Sequence, residues 1–511
     1  MSKKPRLRFA PSPTGGLHLG GVRTVLYNYL FAKRHGGTFV LRIEDTDQAR
    51  YVDGAEQYIL DCLQWCGLEP DESPFNPGPY GPYRQSERKE KGIYREYADR
   101  LVKEGHAYYA FDSPEQLEEM RSRYSTPENP SPQYNHTLRG KMRNSLSLDA
   151  EETASLLAGG TPYVIRIRVD PGQEVCLNDM IRGEIRFSTS GLDDKVLLKA
   201  DGMPTYHLAV VVDDYLMEIT HAFRGEEWLP SAPVHVLLWK ALFGEQHMPK
   251  WAHLPLILKP DGNGKLSKRD GDRLGFPVFA LNWTDPKGEL TKGFREIGFL
   301  PGAFLNMLAM LGWNDGSGQE LFTLQELIEK FSMERVHKGG AKFDFEKAKW
   351  FNHEWIKWST ADALAPLVKP LFVEKGIAIP EGERFTQVLG LIKERCTLLT
   401  DFVQQGAFFF TFPANPDLAS IQAKWNEAKQ LFFAELIRQY ELLPEWEADR
   451  LEADFKQMAA AAEIKPGDLL QPLRIMLVGG KYGPGVFAIA AWLGRQETIH
   501  RIRHVMGLLR P

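Results

Sequence analysis

The sequence predicts a multidomain chain: an open parallel α/β sheet, interrupted by an inserted α+β module and followed by an all-α region. Three observations predict it. The 511 residues exceed what one hydrophobic core ordinarily fills. The first eighty residues alternate strand-like and helix-like runs. After Asp272 the apolar spacing becomes mostly helical through to Pro511.

The elements follow in order. RLRFAPS, residues 6–12, reads as a short strand running into a turn, and a helix is expected over 20–34 with Val22, Leu26, Tyr29 and Leu30 on one face. Gly36 and Gly37 stop it. TFVLRIEDTD reads as a buried strand ending in acidic residues, and a second helix runs from about Asp53 to Cys66. The loop SPFNPGPYGPYRQSE sets a boundary near residue 82. Residues 83–195 read as the inserted module, opening with a helix near 86–104 and continuing through a polar, proline-dotted surface stretch over 112–160. The sheet is expected to resume at PTYHLAVVVDDYL and MEITHAFRGEEW, followed by the helix PVHVLLWKALF and the strand HLPLILK. The expected division is 1–82 with 196–260, then 83–195, 261–355 and 356–511, the last with an internal boundary near 415 at PANPDLAS.

Composition narrows the class. The chain is 43% hydrophobic and 25% charged, as soluble globular proteins are. It holds no run of eighteen apolar residues, so no membrane span is expected. MSKKPRLRF lacks an apolar core and a cleavage site, so it does not read as a secretory signal. Four cysteines are too few for a disulfide framework and point to a reducing, cytoplasmic setting. A net charge of −5 means that any nucleic acid must be held by local basic patches. Cys62 and Cys66 fit a buried helix face and have no second pair at zinc spacing, so no zinc is expected.

Two segments carry chemistry. RFAPSPTGGLHLGG places two prolines, four glycines and His18 ahead of a helix, an arrangement that binds anions through helix-N-terminal amides. It lacks G-x-G-x-x-G, so it is not the usual dinucleotide fingerprint. DGNGKLSKRDG is not a P-loop, because Pro260 stands five residues before Lys265 and Leu266 follows it. A kinase reading loses its main support there.

Together the segments resemble a class I aminoacyl-tRNA synthetase. The HIGH motif of that class stands here as His18-Leu19-Gly20-Gly21, and KMSKS as Lys265-Leu266-Ser267-Lys268-Arg269. With LRIEDTD, GPYRQSER, DGMPTYHLAVVVDD and RGEEWL, the whole chain is similar to the bacterial-type glutamyl-tRNA synthetases. The resemblance implies a Rossmann-type catalytic domain, an inserted module for the tRNA acceptor end, a domain carrying the KMSKS loop and contacting the stem, and a helical anticodon-binding region. It implies ATP with Mg2+, L-glutamate and tRNA(Glu) as ligands, and a monomer. By that resemblance Arg8, Ser12, Glu44, Tyr206 and Arg224 contact glutamate, and Gly15, His18, Gly20, Glu227, Lys265 and Lys268 contact ATP. His18, Lys265 and Lys268 are the expected catalytic groups. Arg395, in IKERCTLL, is the nearest match to an arginine that helps choose tRNA(Glu) over tRNA(Gln).

The physics agrees with the implied reaction. Joining a carboxylate to an α-phosphate and expelling pyrophosphate needs a site that gathers negative charge. Arginine can grip a carboxylate with two hydrogen bonds. Isolated, His18 would read as a helix cap, the two lysines as a solvated charge run, and Glu44 and Asp45 as caps; Asp47 is expected to cap the helix that follows. One departure is Val210, where many relatives carry Asn, so a polar contact is lost or replaced. The alternative function is an enzyme that also glutamylates tRNA(Gln). A short glutamyl-queuosine enzyme is disfavoured by the helical region after 356, and an inactive scaffold by the complete set of charged site residues.

Overall fold

The computed structural model describes residues 4–509. The chain forms two compact units, one running to Glu296 and taking in Phe304–Phe345, the other comprising Ile297–Ala303 and the chain from Glu346 onward.

The first unit is built on a six-stranded sheet. β1 (Arg6–Phe9) enters α1 (Leu19–Arg34), then β2 (Thr38–Leu41) and α2 (Ala55–Cys66). All four residues of β1 are buried, as expected of a strand covered on both faces. α1 ends at His35 and Gly36, whose φ of 59° suits glycine. The helix expected near 86–104 is broken in two, α3 (Gln85–Glu90) and α4 (Ile93–Lys103), at Gly92 with φ 74°. The surface stretch holds α5 (Pro114–Arg123) and α6 (Ala150–Ala158).

The large sheet has the order β2-β1-β8-β9-β5-β6, where β5 is Glu174–Asp179, β6 Gly183–Ser188, β8 His221–Gly225 and β9 Lys250–Leu254. Every pairing is parallel except β5 with β6. A smaller antiparallel sheet joins β3 (Ala107–Ala110), β4 (Val164–Ile167) and β7 (Val196–Leu198). Strand pairing therefore cuts across the expected boundary at 195. The β5–β6 hairpin, counted into the insertion, extends the large sheet because Val175 and Leu177 share a core with Trp251. β7, counted into the large sheet, pairs with β4 of the insertion instead.

One expected strand is a helix. PTYHLAVVVDDYL forms α7 (Tyr206–Leu216), with Leu208–Asp214 buried without interruption. A helix covered on all sides shows the same unbroken apolar run as a buried strand. Asp213 and Asp214 are the polar pair within this buried run, and both are matched by buried arginines described below. The second expected strand, within MEITHAFRGEEW, is β8, and the expected helix PVHVLLWKALF is α8 (Ala232–Leu242).

In the second unit, the chain after residue 346 forms no strand among the described residues. Its core includes Phe372, Val388, Phe402, Phe433, Phe455 and Ile502. No described helix is long and apolar enough to cross a membrane.

Candidate functional site

Two adjoining clefts open at the C-terminal end of the parallel strands, where ligands bind in open α/β sheets. The first, about 580 Å³, is lined by Arg8, Ser12, Glu44, Tyr206 and Arg224 among others. The second, about 420 Å³, is lined by His18, Lys265 and Lys268. They share Gly20, Gly21, Thr24, Gly225 and Glu227. The residues expected to meet the amino acid thus gather in one cleft, and those expected to meet phosphate in the other. Gly15 lines neither.

His18 is the N-cap of α1, where its Nδ1 accepts the Gly20 N–H at 3.4 Å. The cap of α1 and the lining of the second cleft therefore coincide in this residue. Burial, helped by Lys265, pushes its pKa down to about 4, so the ring is neutral at pH 7. With Nδ1 accepting, the proton sits on Nε2, which has no hydrogen-bond partner among the described residues and remains a donor. A Cβ on Gly20 would meet nothing within 4 Å, so that glycine leaves space where the clefts join.

Beneath the first cleft lies a buried charge network. Arg8 forks onto Asp214, Nε to Oδ1 at 2.9 Å and Nη2 to Oδ2 at 3.0 Å. Fully buried Arg42 reaches Asp214 at 2.8 Å and Glu44 at 2.9 Å. Arg88 holds Asp213 at 2.6 Å. Glu44 has a pKa raised by burial even beside Arg42. Ser12 is exposed at the mouth, and Val210 lines the cleft wall. Exposed Trp228 also lines the cleft, 4.8 Å from the Tyr206 ring, a neighbour the sequence reading left unassigned.

Arg224 differs from these arginines. Its Nε donates to His253 Nε2 at 2.9 Å and its Nη1 to the Tyr206 hydroxyl at 2.8 Å. Nη1 also lies 3.3 Å from His235 Nδ1, and the guanidinium sits over Trp251. It forms no ion pair with a carboxylate among the described residues, and burial pulls its pKa down. An uncompensated buried cation is costly, so this one suits an anion from outside.

The lysine loop is a short hairpin. β10 (Ile257–Leu258) is rejoined through the Leu258–Lys265 bridge, and Leu266 N–H donates to the Ile257 carbonyl. Ser267 and Asp270 then form a capping box for α9 (Lys268–Leu274). Lys265 Nζ lies 2.5 Å from Glu227 and Lys268 Nζ 3.6 Å from Glu289. Both pairs are solvent-accessible and weak, so either lysine can leave its carboxylate at little cost.

Other expected positions fall as follows. Asp47 precedes a 3-10 turn, Gln48–Arg50, but its carboxylate takes the Arg50 side chain at 2.6 Å and caps no backbone N–H through its side chain. Cys62 and Cys66 are buried in α2, and burial pushes the Cys62 thiol up to about 12. Arg395 is exposed in a 3-10 turn, Lys393–Arg395, just past the helix Arg384–Ile392.

Known proteins share this architecture. Residues 4–350 match the family described as tRNA synthetases class I (E and Q), catalytic domain, and residues 363–506 match an anticodon binding domain. The chain is 50% identical to the glutamate–tRNA ligase of Porphyromonas gingivalis (strain W83) and 51% identical to that of Flavobacterium johnsoniae, with all of each chain covered. The crystal structure of a glutamate tRNA ligase from Elizabethkingia meningosepticum, in complex with its amino acid, superposes with a TM-score of 0.94 at 46% identity, covering 99% of this chain and 100% of that one. The chain belongs to the glutamate–tRNA ligase family of class I tRNA synthetases.

Proposed function

We propose that the protein joins L-glutamate to ATP, giving glutamyl-adenylate and pyrophosphate, and passes the glutamyl group to the 3′ end of tRNA(Glu). The observation that carries this is Arg224, a buried guanidinium without an ion-paired carboxylate in the wall of the first cleft. A substrate whose side chain ends in a carboxylate supplies the missing charge. Glu44 takes the α-ammonium, while Arg8, whose fork is held by Asp214, lends positive potential and its remaining nitrogen.

ATP occupies the second cleft. His18 Nε2–H and the α1 amides meet its phosphates, and Gly20 leaves the backbone room for close approach. Lys265 and Lys268 leave Glu227 and Glu289 for the developing charge on pyrophosphate. Mg2+ enters with the triphosphate, where it neutralises phosphate charge; Glu227, the carboxylate lining this cleft, would be its protein contact once Lys265 turns away. Zinc has no place in this reading, since Cys62 and Cys66 face the core of α2 without a third donor among the described residues.

The helical second unit reads the anticodon, with Arg395, exposed just past the helix Arg384–Ile392, a candidate for choosing tRNA(Glu). The protein acts as a cytoplasmic monomer, and tRNA must bind before glutamate is activated efficiently. ATP–pyrophosphate exchange with and without tRNA(Glu) tests this. Exchange that depends on both glutamate and tRNA is expected, and no exchange under either condition would overturn the reading.

A further inference from the structure

Arg8 and Arg224 face the same cleft but are held differently. Arg8 rests directly on a carboxylate, Asp214, which it shares with Arg42. Arg224 reaches a carboxylate only through a ring: its Nε donates to His253 Nε2 at 2.9 Å, and His253 Nδ1 lies 2.6 Å from Asp179 Oδ2. The three residues stand near the C-terminal ends of adjacent parallel strands, with Arg224 directly opposite His253 in the β8–β9 register. Asp179 is itself fixed. Its Oδ1 accepts the Ile181 and Arg182 N–H groups at 2.9 and 3.0 Å, and its Oδ2 accepts the His253 N–H at 3.0 Å.

The proton positions follow from this arrangement. Asp179 can only accept, so His253 Nδ1 carries the proton, and Nε2 is left as the acceptor for Arg224. A neutral ring between the two charges transmits orientation to the guanidinium without presenting it with a rival carboxylate. Tyr206 and His235, also uncharged partners, take Nη1, and His235 in turn contacts His207 at 3.2 Å. Nη2 is buried without a partner among the described residues.

We propose that Asp179 and His253 are positioning residues for amino-acid selectivity: the Asp179–His253 pair locks the Arg224 guanidinium in place while leaving its charge for the carboxylate of the substrate side chain. This rests on the reading that Arg224 meets glutamate. Two substitutions of similar polarity separate the roles of the ring nitrogens. His253→Asn keeps a donor near Asp179 but removes the acceptor for Arg224, whereas His253→Gln extends a carbonyl oxygen to that acceptor position.

In aminoacylation assays, His253→Asn is expected to raise the KM for glutamate about tenfold or more, and to narrow the preference for glutamate over glutamine. His253→Gln is expected to recover most of both. The KM for ATP should stay near that of the parent in both variants. Equal glutamate KM values for the two variants, or parallel rises in the KM for glutamate and ATP, would overturn the proposal. Arg224→Lys, run alongside, separates the two ideas. If it leaves the glutamate KM unmoved, the site reading itself fails. If it raises the KM while His253→Asn does not, only the positioning role fails.

Discussion

Lys265 and Glu227 meet across the second cleft, Nζ to Oε1 at 2.5 Å, one from the hairpin loop and the other from the turn after β8. Both side chains are substantially exposed, so the pair is a weak latch. An anion entering the cleft would compete with Glu227 for the same ammonium.

Lys268, on the far side of this loop, has an even looser partner in Glu289 at 3.6 Å. Lys268→Ala is therefore expected to lower the rate of adenylate formation by about 10²–10³-fold, the usual loss for one group that meets developing charge. Binding of tRNA, measured by filter retention, should change little. Equal losses in the two assays would count against a role on the phosphates.

Neighbouring glycines are predicted to respond differently. A Cβ on Gly20 meets open space, whereas one on Gly21 comes within 2.6 Å of Leu17 Cδ1. Gly20→Ala should leave the melting temperature at or above that of the parent and raise the KM for ATP, because the methyl enters the junction of the clefts. Gly21→Ala should cost about 1 kcal/mol or more of stability through overpacking. Identical melting shifts for both would contradict this.

The network around Asp214 is expected to dominate the electrostatic stability of the first unit. Asp214→Asn takes the paired charge from buried Arg8 and one of its carboxylate partners from buried Arg42, and should cost about 3–5 kcal/mol in urea titrations. Asp99→Ala breaks an exposed pair with Arg95 and should cost less than about 1 kcal/mol. A loss below that level for Asp214→Asn would show that the network relaxes or admits water.

Acid should weaken the fold through its histidines. Burial first, then Lys265, Lys195 and Lys250 respectively, push His18, His207 and His221 down to about 4. Their folded pKa values lie below the unfolded value, so the unfolded chain binds more protons between about pH 6.5 and 4. Stability is fully present above pH 6.5 and falls with acidification through that window, by about 1.4 kcal/mol per pH unit for each group fully engaged. Urea midpoints at pH 7.5, 5.5 and 4.5 check this. A flat profile would mean that the rings are charged in the folded state.

The two segments that line the second cleft were legible because their pattern is local. Glycines, His18 and the Lys-Ser-Lys run stand at spacings that one turn or one hairpin enforces. The support beneath them was not. Asp214 serves Arg8 from 206 residues away and Arg42 from 172, and no local pattern announces such a partnership. The clue that existed was two adjacent aspartates in an otherwise apolar run, since buried carboxylates require cations. That same run misled the element assignment, because an unbroken apolar stretch suits a buried helix and a buried strand alike. Asp179 and His253 carried no cue at all, as their relationship exists only in the register of β5 and β9.

The order of the large sheet has a consequence for synthesis. β1 lies between β2, its near neighbour in sequence, and β8, which begins at His221. The wall shared by the two clefts combines Gly20–Thr24 with Gly225–Glu227, which meet only when β8 has docked beside β1. A chain still emerging from the ribosome therefore carries half a wall through the whole translation of the insertion. The second cleft gains its remaining wall, Lys265–Lys268, only later still in the chain.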